Sequence, residues 1–111
     1  MTVSQALKSD DKDIGIAAFE RKVADAAAML KLLANESRLL ILCQLTLAGE
    51  MPVNRLSAAV GLSQSALSQH LAKMRDEGLL GTRRDAQTIY YRITDPNASR
   101  LLGVLKDIYC P

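Results

Sequence analysis

Residues 53–71, VNRLSAAVGLSQSALSQHL, constrain this chain more than any other stretch. Leu56, Ala59 and Val60 stand at the i, i+3, i+4 spacing of one buried helical face, which predicts a short helix over residues 54–60. Gly61 ends it, because glycine takes the left-handed backbone of a tight turn at no steric cost. Leu62 is the single apolar plug of that turn, and Ser63 is a good N-cap for a second helix. This second helix, over residues 64–77, keeps Leu67, Leu71 and Met74 for the core. It leaves Gln64, Ser65, Ser68, Gln69 and Lys73 outside.

A short helix, a glycine turn and a second helix faced with amides and hydroxyls form the helix-turn-helix pattern. The chemistry suits the DNA major groove. Gln can bridge the N6 and N7 edge of adenine, Ser can donate or accept, and their short reach demands close approach to the bases. An ordinary helical hairpin shares the spacing, but its solvent face is usually richer in Glu and Lys.

The rest of the chain fits one small domain. With 111 residues, the core it can build is modest, so a dimer would help it. No Trp and one Phe leave that core aliphatic and mainly helical. No apolar run reaches the length of about 18 residues that a membrane span needs. The opening MTVSQALKSDDKD is polar and acidic, unlike a signal peptide, so a cytoplasmic protein is expected. Residues 1–13 read as a disordered tail, and residues 14–111 as the folded domain that binds DNA and dimerises.

Net charge is only +2, but it is unevenly placed. Residues 54–92 carry Arg55, Lys73, Arg75, Arg83, Arg84 and Arg92 against Asp76, Glu77 and Asp85, an excess of +3. The surplus falls on the segment suspected of meeting nucleic acid, as phosphate contact requires.

The first helix is expected from about Ile14 to Leu33, with an apolar stripe (Phe19, Val23, Ala26, Ala27, Leu30, Leu33) too broad for one neighbour. Asn35 should cap the second, whose run Leu39, Leu40, Ile41, Leu42, Cys43, Leu45, Leu47 implies burial on most sides. Gly49 stops that helix, and Pro52 stands where the third begins. After Gly78, residues 79–84 and 88–94 are strand-like, joined at Asp85-Ala86-Gln87. The hairpin tip bears Arg83, Arg84 and Gln87, and a hairpin behind a recognition helix is a wing placed to touch the backbone or the minor groove. Asp95 and Pro96 open a last helix with two apolar stripes, Leu101, Leu105 and Ile108 on one, Leu102 and Tyr109 on the other. A symmetric homodimer through the first and last helices would cover the surplus faces of both. The fold class is therefore mainly α with a β-hairpin wing, a winged helix-turn-helix.

Across residues 24–109 this order of elements, with NESRLLIL, LSQSALSQHLAKMRDEGLL and RRDAQTIYYRI, resembles the ArsR/SmtB-type winged-helix repressors. The resemblance implies a homodimer that binds a palindromic double-stranded operator and releases it on sensing an inducer. It places base reading on Gln64, Ser65, Ser68 and Gln69, and wing contacts on Arg83, Arg84 and Gln87.

The departures concern the signal. Many members bind metal through a Cys-rich motif near the start of the third helix, where this chain reads EMPVNRL. Others bind zinc through Asp and His of the last helix, where it reads TDPNASRLL, with Asp95 but no histidine. The lone His70, beside Leu67 and Met74, reads as packing, since one imidazole does not hold a metal ion. Neither a metal site nor a cofactor is expected, and nothing supplies the base or the CxxC of an enzyme.

Cys43 and Cys110 remain, far apart in sequence. From residues alone they are either small core hydrophobes or a redox or metal device. The pair looks like the dithiol of the sulfide- and persulfide-responsive (BigR/SqrR-like) branch of the family. That resemblance implies that reactive sulfur species bridge the two thiols and lower DNA affinity. The alternatives are a metal-sensing repressor with thiolate ligands and a repressor of general oxidants.

Overall fold

The computed structural model describes residues 10–110. Its elements run α1 (Asp10–Leu33), α2 (Glu36–Ala48), β1 (Met51–Pro52), α3 (Val53–Val60), α4 (Gln64–Asp76), β2 (Leu80–Asp85), β3 (Thr88–Ile93) and α5 (Pro96–Tyr109). This is the expected mainly helical order with its hairpin wing. Helix α1 starts at Asp10 rather than near Ile14, and residues 1–9 of the expected tail lie outside the described residues. The chain divides into two units between Lys31 and Leu32. Within the first, α1 carries exposed Phe19, Val23 and Leu30 along its length.

The boundaries of the second unit follow from local hydrogen bonding. The Asn35 side chain accepts from the Arg38 N–H at 3.0 Å, and the Ser63 hydroxyl from the Ala66 N–H at 3.1 Å. Asp95 accepts from the Asn97 and Ala98 N–H groups at 2.8 and 3.4 Å, with Pro96 in the first turn. Each satisfies donors that a helix start leaves unpaired. Gly61, with φ of 70°, makes the turn between α3 and α4. The Ser57 hydroxyl donates to the Leu62 carbonyl across that turn, a brace the sequence did not announce.

The core sits where α2, α3 and α4 meet. Ile41, Leu42 and Leu45 of α2, Leu56 of α3, and Leu67, Leu71 and Met74 of α4 are at most 1% exposed. Ala98 and Leu102 of α5 join them. Two expectations are corrected here. Helix α2 is not buried on most sides: Ile41, Leu42 and Leu45 are buried, but Leu40 and Leu47 are 51% and 69% exposed. On α3, Leu56 is buried and Val60 half-buried, but Ala59 faces outward, since an eight-residue helix presents only one narrow stripe.

The sheet has three antiparallel strands in the order β1-β3-β2, one more than the expected hairpin. Met51 pairs with Tyr91 and Pro52 with Tyr90. Pro52 belongs on such an edge, where its missing N–H breaks no ladder bond. The hairpin turns through Ala86 and Gln87, with Asp85 opposite Thr88 and Ala86 at a left-handed φ of 56°. At the base of the wing, a Cβ on Gly81 would stand 2.6 Å from the Thr94 Cγ2. Thr94 cannot withdraw freely, because its N–H donates to the Leu79 carbonyl at 3.0 Å and its branched side chain is stiff at χ1. Gly81→Ala is expected to cost about 1–2 kcal/mol in urea denaturation. In a Thr94→Ala background the same change should be close to neutral.

Candidate nucleic-acid interface and thiol groove

Helix α4 buries Leu67, Leu71 and Met74 and turns its other side to solvent. Gln64, Ser65, Ser68, Gln69 and Lys73 are all exposed there, as the spacing of the buried residues dictates. His70 is half-buried between the two faces. Lys73 pairs with Glu77 one turn later at 3.5 Å, a contact that solvent leaves weak.

The wing stands beside this helix. An open cleft of about 550 Å³ lies between the wing and the start of α3, with Gln64, the first residue of α4, in its wall. Its walls are Pro52, Val53, Asn54, Arg55 and Gln64 on the helical side and Gln87, Thr88, Ile89 and Tyr90 on the wing. Amide, guanidinium and hydroxyl groups therefore face one another across a gap open to solvent. Such a gap can take a sugar-phosphate strand while the α4 face meets base edges. Asn54 and Arg55 were not among the sequence-derived site residues; their place next to Pro52 at the start of α3 puts them in the cleft wall.

Arg84 and Gln87 are exposed near the turn, as expected. Arg83 is placed differently. It sits in the ladder opposite Tyr90, two pairs back from the turn, with its guanidinium 4.3 Å from the Tyr90 ring centroid. Its Nε donates to both carboxylate oxygens of Glu50 at 2.9 Å, and Nη2 donates to one of them. Those hydrogen bonds hold the Glu50 carboxyl below its ordinary pKa, and the charges of Arg83 and Arg92 act in the same direction. A pairing across 33 residues of chain leaves no local signature, so sequence reasoning had no means of finding it.

On the far side of α2, the structure brings the two cysteines together. Cys43 and Cys110 are both exposed and free, and both line one groove of about 390 Å³ between α2 and α5. Leu39, Leu47, Leu102, Leu105 and Tyr109 make its walls apolar, with Lys106 at the same groove. Cys43 is thus not a core residue: Ile41, Leu42 and Leu45 take the buried side of α2, and the helical turn carries Cys43 to the other. Among the described residues, no three His, Cys, Asp or Glu side chains gather as a metal site. Nor, among them, is any helix long and apolar enough to cross a membrane.

Comparison with known proteins agrees with this architecture. Residues 35–81 match the model of the bacterial regulatory proteins of the arsR family. The HTH-type transcriptional regulator YgaV of Escherichia coli is 44% identical over 96 residues, covering 86% of this chain and 97% of its own. The solved structure of reduced HlyU from Vibrio cholerae superposes with a TM-score of 0.79 at 44% identity, covering 85% of this chain and 98% of HlyU. That of the transcriptional repressor BigR from Xylella fastidiosa gives 0.78 at 35%, covering 86% and 96%. These relatives are regulators rather than enzymes. With its helix-turn-helix, its wing and its relatives matched over nearly their full length, the chain belongs to the arsR family of bacterial regulatory proteins.

Proposed function

We propose that this protein is a dimeric, operator-binding transcriptional repressor whose DNA affinity falls when reactive sulfur joins Cys43 to Cys110. The observation that carries the reading is the shared groove: two exposed thiols, far apart in sequence, line one apolar recess between α2 and α5. DNA is met by Gln64, Ser65, Ser68, Gln69 and Lys73 of α4 and by Arg84 and Gln87 of the wing. Two similar proteins supply analogies. BigR is described as a transcriptional repressor, and the HlyU structure is described as that of a reduced form.

The chemistry balances without a cofactor. An organic persulfide, RSSH, gives its outer sulfur to one cysteine thiolate, releasing RSH and leaving Cys–S–SH. The second thiol attacks the cysteine-bound sulfur, forming the disulfide and releasing H₂S. Persulfidation of both cysteines followed by loss of H₂S leaves a trisulfide instead. A direct disulfide needs Cα atoms within about 7 Å, and each added sulfur spans more.

The readout is geometric. Leu101, Val104 and Ile108 of α5 are exposed apolar residues suited to a second copy, as are Phe19, Val23 and Leu30 of α1. Recognition helices of a dimer must sit about 34 Å apart to reach successive major grooves. A bridge that pulls α5 toward α2 rotates one subunit against the other and spoils that spacing.

The test uses a duplex selected from random sequence by the reduced protein. After exposure to an organic persulfide, intact mass should show a Cys43–Cys110 bridge. Affinity for the duplex should fall about ten- to a hundredfold, a coupling of about 1.4–2.8 kcal/mol, and a thiol reductant should restore it. Cys43→Ser and Cys110→Ser should bind the duplex and ignore the persulfide. Unchanged mass with unchanged affinity would remove the cysteines from the mechanism.

A further inference from the structure

The Arg83–Glu50 contact does not fit a wing residue waiting for phosphate. In the sheet order β1-β3-β2, Arg83 belongs to one outer strand and Glu50 directly precedes the other. The Arg83 side chain therefore lies across the middle strand, over the Tyr90 ring, to reach the carboxylate on the far side. A planar guanidinium that engages both carboxylate oxygens fixes orientation as well as distance, which a lysine ammonium does not. Stacking on an aromatic face adds attraction in the same geometry. The hydrogen bonds from Arg83 hold the Glu50 carboxyl below its ordinary pKa.

What this strap joins matters. Glu50 leads into Met51 and Pro52, and Pro52 is the residue from which α3 starts. Pro52 also pairs with Tyr90, and both line the cleft that Gln64 of the recognition helix and Gln87 of the wing share. We propose that Glu50 and Arg83 form a latch across the sheet that sets the width of the cleft between the wing and the first residues of α3 and α4. Both are positioning residues for DNA binding, and neither is a phosphate contact. This rests on the DNA-binding reading above. Arg84, the next residue on β2, projects to the opposite face and is left as the phosphate-seeking cation of the wing.

Two measurements on the reduced protein decide it. The first is binding to the selected duplex over a range of salt. Glu50→Ala and Arg83→Ala should each weaken binding about two- to fivefold, as loss of an exposed ion pair allows. The double variant should be no worse than the weaker single one, because either change opens the same latch. The slope of log K against log salt should stay as in the wild type for all three. Arg84→Ala should lower it by about 0.9, the loss of one phosphate contact. The second is amide hydrogen exchange of residues 80–93 without DNA, expected to speed up in Glu50→Ala and Arg83→Ala and not in Arg84→Ala. If Arg83→Ala lowers the salt slope by about 0.9 while Glu50→Ala tightens binding, Arg83 is a phosphate contact and the proposal is overturned. Unchanged exchange in both latch variants overturns it as well. A wild type that binds no duplex would instead sink the DNA-binding reading, and the exchange measurement would still decide the latch.

Discussion

Leu67→Ala is expected to cost about 2–5 kcal/mol of folding stability, the range for emptying a fully buried leucine site. Leu67 is 0% exposed and lies on α4, which packs on α3, whose Leu56 is equally buried. The lost methyl groups leave a cavity that the packed helices cannot collapse into, so the transfer loss and the cavity loss add. A domain of this size has on the order of 5–15 kcal/mol in all, so the change takes a large share. Urea denaturation at fixed protein concentration measures it, with Leu40→Ala as the comparison. Leu40 is 51% exposed, and truncating it should cost about 1 kcal/mol or less if that face is solvated. A loss at Leu67 as small as that would mean that the helix-turn-helix core is packed differently.

Gln69→Ala should weaken binding to the selected duplex by roughly 1–3 kcal/mol, about 5- to 160-fold, while leaving stability within about 0.5 kcal/mol of wild type. The side chain is exposed on α4, so its removal disturbs no packing. Its amide has both a donor and an acceptor, which is what adenine presents in the major groove. Binding to an unrelated duplex should barely change, since that affinity comes from phosphates. Ser68→Ala should act in the same direction with a smaller effect, one hydroxyl making fewer contacts than an amide. If both variants bind the selected duplex like wild type, the exposed face of α4 does not read bases. The helix-turn-helix would then be a scaffold for some other contact.

The two expectations concern different halves of one helix, and the period of 3.6 residues separates them. Leu67, Leu71 and Met74 bury one face of α4, and Gln64, Ser65, Ser68 and Gln69 lie exposed on the other. The two variants are therefore expected to separate stability from DNA binding.

Much of this was legible in the sequence because the forces concerned are local. Asn35, Ser63 and Asp95 cap helices through bonds to N–H groups two or three residues on. Gly49, Gly61 and Gly78 all take positive φ where the chain must turn, and Leu67, Leu71 and Met74 follow from helical period alone. Other features were decided only by the tertiary structure, because their partners are distant in the chain. Met51 and Pro52 become a strand only by meeting Tyr91 and Tyr90, and a two-residue strand has no periodicity to read. Arg83 reads in the sequence as a wing cation, and its pairing with Glu50, 33 residues earlier, is visible only in the fold. The aliphatic run of α2 promised burial all round, yet Leu40 and Leu47 stay exposed, and Cys43 is exposed at the groove that Cys110 also lines. Local hydrogen bonds and helical period wrote the elements into the sequence. Which face each element buries, and which distant side chains meet there, was fixed only when the elements packed.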